Sequence, residues 1–146
     1  MSAAIGVSMD GVRVPVARAR VADAVRAVLR SEKVRDAMIS VTFVRKREIQ
    51  RLNREHLRRD RPTDVIAFGF RATGRGAPIV GDIYIAPEVA RESARANDIS
   101  VREEVLRLVV HGTLHVLGHD HPESDGRTRS PMWRTQERLV ARLVRP

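Results

Sequence analysis

A length of 146 residues sets the chain at a single domain, enough to bury a proper core but too little for two. The absence of cysteine excludes disulfides and thiolate ligands, so any metal must be held by histidine or carboxylate. The 27 Lys and Arg against 18 Asp and Glu give a formal charge of +9 that points to a polyanionic partner, and the scarcity of aromatics (three Phe, one Tyr, one Trp) argues against an extended base-stacking platform.

Residues Met1 to Val12 lack a basic stretch followed by a long apolar run, and no membrane-length apolar segment occurs, so a soluble cytoplasmic protein is expected. Ile5, Val7 and Met9 alternate, Asp10-Gly11 signals a turn, and Val12 and Val14 alternate again, which predicts a strand or a short hairpin. Pro15 is placed in the first turn of a helix whose apolar stripe is Val21, Val25, Val28 and Leu29. Met38 to Val44 reads as a central strand with Ile39, Val41 and Phe43 on one face.

Arg45 to His56 predicts a short helix with Ile49 and Leu52 inward and its other faces charged. Eight bases face three acids between Arg45 and Arg61, a run that could hold phosphate or simply be a solvated helix face. Arg61-Pro62-Thr63-Asp64 forms a turn into the apolar strand Val65 to Phe68, and Arg71 to Pro78 is a Gly-rich loop, a candidate lid. Strand character resumes from Ile79 to Ala86, with Gly81 where a neighbour can approach closely, and Pro87 opens a helix to about Ala96.

Ser100 followed by Glu103 is a capping box, so a helix starts near Val101, with Val105, Leu106, Val109, Val110, Leu114 and Leu117 at helical spacing. Gly118 can end it in the left-handed conformation. His111 and His115, four apart, share a face of this helix, and His121 can return to them after the turn. The His-x3-His-x2-Gly-x2-His spacing is that of metzincin zinc sites, three imidazoles with a fourth position left for water. Gly112 stands where such sites carry the glutamate base, which removes the proton acceptor of protease chemistry. His119 is read as facing solvent or substrate, and Asp120 as a partner behind the ligands or a loop-former. After a polar stretch from His121 to Arg129, Ser130-Pro131 caps a last helix with Met132, Trp133, Leu139, Val140 and Leu143 inward.

The segment from His111 to His121, with Leu52-Asn53, Asp60 to Phe68 and Gly81-Asp82-Ile83, resembles the YbeY family of bacterial rRNA maturation endoribonucleases. The motifs run in order over roughly residues 40 to 125, and glycine after the first histidine belongs to the family pattern. The resemblance implies an α+β fold, a single catalytic domain over 1–146 with a small mixed sheet of about four strands packed by helices. A zincin-like site on a helix and the following turn would hold one Zn2+ through His111, His115 and His121. It further implies cleavage of single-stranded RNA in small-subunit rRNA 3′-end maturation and ribosome quality control. The expected partners are the rRNA precursor and the small ribosomal subunit, with neither membrane nor DNA.

The family places a functional arginine five residues before the proline of the Pro-Thr-Asp turn, where this chain has Leu57, so Arg58 and Arg59 are the candidates for that role. The catalytic set is therefore Arg58, Arg59 and Asp120, with the proton going to zinc hydroxide, Asp120 or His119. Two other readings share part of this pattern. A zincin-like metallopeptidase would use the same ligands but needs a base at position 112. A ribosome assembly factor with structural zinc would share the charge but would normally close its metal with four protein ligands.

Overall fold

The computed structural model describes residues 3–59, 61, 63–71, 77–120 and 130–145, Arg71 by its backbone alone. The elements follow in the order β1 (Ala4–Ser8), α1 (Arg18–Ser31), β2 (Ala37–Phe43), α2 (Lys46–Leu57), β3 (Val65–Arg71), β4 (Ile79–Ile85), α3 (Pro87–Ala96), α4 (Val101–Val116) and α5 (Pro131–Leu143). The four strands form one mixed sheet in the order β1-β2-β4-β3, with β1, β2 and β4 parallel and β3 antiparallel at the edge. Parallel neighbours cannot be joined by a tight turn, and α1 makes the crossover between β1 and β2.

The interior position of β2 explains its alternation. Ala37, Ile39, Val41 and Phe43 are buried together against α1 and α4, while Met38 on the opposite face is 55% exposed. Helix α1 buries Val21, Ala24, Val25, Val28 and Leu29 on the same side of the sheet. On the other side α2 covers only the β3–β4 end, where Ile49 and Leu52 meet Ile66, Ala86, Phe68 and Tyr84. The aromatic rings of His56, Phe68 and Tyr84 stack edge to face there, at centroid distances of 5.3 and 6.3 Å.

Of the strand or short hairpin expected before Pro15, the strand is found as β1. Val12 and Val14 form no returning strand: Val12 N–H closes a turn onto the Met9 carbonyl at 3.1 Å, and β1 pairs only with β2. Pro15 lies before the first helical turn, because Ala17 is the N-cap of α1. Arg71, expected at the start of a loop to Pro78, instead belongs to β3 and pairs with Ile79, and residues 72–76 of that expected loop lie outside the described set, as do 121–129.

Helix α4 is the centre of the packing. It touches α1, α3, α5, β3 and β4, so apolar or small residues cover nearly its whole circumference and its pattern is less one-sided than that of α5. Val116 rests on Gly69 and Gly81 in adjacent strands, at a separation where a Cβ on Gly69 would lie 2.8 Å from the Val116 carbonyl oxygen. One turn earlier Gly112 lies on Ile83, and a Cβ there would stand 2.7 Å from Ile83 Cγ2. These contacts fix the rotation of α4 about its axis, and with it the direction of His111 and His115, each next in the chain to one of them.

Candidate active site

The ends of α4 are secured by the residues expected to do it. Ser100 Oγ accepts from Glu103 N–H at 3.1 Å. The Glu103 carboxylate accepts from Arg107 at 3.0 Å. At the other end Gly118 has φ +100°, its N–H bonds to the His115 carbonyl at 2.9 Å, and the His119 N–H reaches the Leu114 carbonyl at 3.0 Å. This pair of bonds is a Schellman motif, and it turns the chain back across the last turn of the helix.

That return brings the carbonyl of His119 to His115, whose Nδ1 lies 2.9 Å from it. His111, 6% exposed, has its Nδ1 2.6 Å from Gln136 Oε1 on α5. The two rings meet edge to face with centroids 4.6 Å apart. A carbonyl oxygen can only accept, so each Nδ1 carries a proton, and in the neutral ring the lone pair is then on Nε2. Two imidazoles held in this way through Nδ1 suit a divalent transition metal such as zinc, which would bind the neutral rings at Nε2. Among the described residues no cluster of three metal-binding side chains is present, and the expected third ligand, His121, lies outside them.

The pair opens into a cleft of about 1170 Å³ between α4, α5, β3 and the segment after α2. Arg59 and Arg61 line it together with Thr63, Asp64 and the indole of Trp133. Arg58 does not line it. It is exposed at the C-cap of α2 in the left-handed conformation, φ 57°. Leu57, at the position where the family resemblance expects an arginine, is 48% exposed and faces the same cleft. Asp120 is exposed just past Gly118. His119 departs from its expectation of facing solvent or substrate: its Nε2 pairs with the carboxylate of Glu32 at the end of α1.

A set of polar residues that the sequence reading missed stands behind His111. Arg107 bonds Glu137 at two points, both 2.9 Å, and also reaches Glu104 at 3.2 Å, while Gln136 donates to Glu137 at 3.0 Å. Burial pushes the Glu137 carboxyl up, but bonds from Arg107 and Gln136 outweigh it and hold the group below its ordinary value. Glu104 is shifted the other way, chiefly by burial, which exceeds the opposing bonds from Arg107 and Ser93. Gln136 could have been found from sequence, because it falls on the stripe of Met132, Leu139 and Val140 and is a polar residue at a core position.

Among the described residues a mixed four-stranded sheet, five helices and a cleft lined by paired histidines and arginines define an α+β protein. The family model described as Endoribonuclease YbeY matches residues 10–144, and on that match the chain belongs to this family of enzymes. It is 38% identical over 132 residues to the Endoribonuclease YbeY of Bacillus licheniformis, covering 83% of this chain and 84% of the relative. With the Endoribonuclease YbeY of Syntrophotalea carbinolica it shares 34% identity over 119 residues, 80% and 79% of the two chains. A solution structure of a Thermotoga maritima protein superposes with a TM-score of 0.60 at 27% identity, over 95% of this chain and 88% of that one. None of the described helices is long and apolar enough to cross a membrane.

Proposed function

We propose that this chain is a zinc-dependent endoribonuclease that cuts single-stranded RNA as one catalytic domain spanning 1–146. Its cellular place in this reading is small-subunit rRNA 3′-end maturation and ribosome quality control, in the cytoplasm, on the rRNA precursor and the small ribosomal subunit. The observation that carries the proposal is the pair of Nδ1 contacts, which gives His111 and His115 the tautomer a metal requires within one arginine-lined cleft. His121 completes the ligand set, one zinc per chain. The endoribonuclease names of the relatives support the choice of RNA.

When bound, zinc supplies Lewis acidity, lowering the pKa of a water or polarising a phosphate oxygen. The chain's own residues do the rest. Arg59, with Arg61 beside it on the cleft wall, offers guanidinium N–H groups to a phosphate and neutralises charge that grows as phosphorus is attacked. Arg58, next in the chain but exposed and not among the residues lining the cleft, contributes to the field that attracts RNA. Asp120 and His119, whose Nε2 pairs with Glu32, are the chain's own candidates for the proton acceptor.

A peptidase reading is disfavoured by packing as well as by residue type, since position 112 is pressed on Ile83 and has no room for a glutamate side chain. Metal-loaded protein should cleave labelled single-stranded RNA in preference to duplex and leave casein intact. Chelator-sensitive proteolysis without RNA cleavage would overturn the proposal.

A further inference from the structure

We infer that Gln136 is the positioning residue of this site: held by Glu137, its amide fixes His111 in the tautomer that presents Nε2, so that ligand is set before any metal arrives. The inference rests on the reading of His111 as a metal ligand. Gln136 is 2% exposed on α5, amid Met132, Leu139 and Val140. A buried amide can face its neighbours with either end, and what decides here is the second neighbour.

The Glu137 carboxylate has no proton to donate when ionised, so it can only accept, and the amide NH2 must turn to it, at 3.0 Å. The carbonyl oxygen is thereby directed at His111 Nδ1, 2.6 Å away, which must then carry the proton. Glu137 is itself held as a carboxylate by the two-point bond from Arg107, one helical turn before His111 on α4. Arg107 is clamped in turn by Glu103 at 3.0 Å and Glu104 at 3.2 Å. The order of command runs from Arg107 through Glu137 and Gln136 to the ring. Turning the amide over would set its oxygen against a carboxylate, losing the bond to Glu137, and its NH2 against Nδ1, which could accept only after giving up its proton.

A merely space-filling glutamine would leave the ring's proton where it is. The test is therefore the imidazole tautomer of His111, read by nitrogen-15 NMR on the metal-free protein above the pH at which the ring is charged, alongside zinc affinity by chelator competition. The native chain should show a single Nδ1–H form. Gln136→Leu should lose it and bind zinc on the order of ten- to a hundred-fold more weakly. Glu137→Gln leaves the amide free to turn and should give a mixture of tautomers.

The double exchange Gln136→Glu with Glu137→Gln restores an acceptor toward the ring and a donor beside it, and should recover both readouts. An unchanged tautomer in Gln136→Leu, with native circular dichroism, would overturn the inference. If that variant does not fold, an unchanged tautomer in Glu137→Gln overturns it equally. Native protein that shows the Nδ1–H form but binds no zinc would instead count against the metal reading, which separates the two failures.

Discussion

At the scale of single residues, Gly112 shows how packing and chemistry are decided at one position. A methyl group there would overlap Ile83 Cγ2, on a fully buried β-branched side chain that cannot swing aside. Gly112→Ala gains up to about 1 kcal/mol of helix propensity but introduces an overlap that typically costs about 1–3 kcal/mol, so a net loss of stability is predicted by denaturant titration. A gain in stability would mean that α4 is not seated on β4 as described. Arg59 and Arg58 are separated by the same reasoning. Arg59→Ala should slow single-turnover RNA cleavage by about thirty- to a thousand-fold, the equivalent of roughly 2–4 kcal/mol, with zinc content unchanged. Arg58→Ala should cost far less, and equal effects would mean that lining the cleft does not decide the role.

Among the elements, α4 and α5 form the unit that carries the site, joined by Arg107, Glu137 and Gln136. The carboxyl of Glu137 titrates below its ordinary 4.5 in the folded chain. Its ionised form thus contributes stability that is fully present above the unfolded value and is lost as pH falls through the folded one. Glu137→Gln should therefore be destabilised most at neutral pH, with the gap closing on acidification below about 4.5. A gap that stays constant with pH would show that the carboxylate's charge is not what matters. Glu104 has the opposite sign: burial raises it, so its burden grows as pH rises from the unfolded value to the folded one.

Most of this architecture was legible in the residue pattern. The stripes of α1 and α4, the alternation of β2, the Ser100 and Ser130 caps and the Gly118 turn all rest on local spacing that physics reads directly. Of the strand or short hairpin expected before Pro15 only the strand formed, because alternation cannot say whether a partner strand follows, and β1 found its partner in β2. The histidine pair was visible as an i, i+4 motif. Gln136 stood out only as a polar residue on an apolar stripe, and Glu137 and Glu32 not at all, because the partners of all three depend on which helices become neighbours, and that is settled by tertiary packing.

For the molecule as a whole, the sheet presents two unequal faces. One is closed by α1 and α4, and the other is covered by α2 only at the β3–β4 end, leaving Met38 and Phe70 exposed at 55% and 65%. The cleft lies at the edge strand, where α4 sets its histidines beside β3 and the residues following α2 supply arginine. A formal charge of +9 favours encounter with a polyanion from any direction, and the cleft is where, among the described residues, arginines meet paired imidazoles. The most direct measurement is cleavage of one labelled single-stranded RNA by native and His115→Ala proteins, each stripped by chelator and titrated back with zinc. Native activity should vanish on stripping and return at one zinc per chain, while His115→Ala should neither retain zinc nor recover activity. Full cleavage by the stripped native protein, or recovery in His115→Ala, would contradict a metal centre built on this helix.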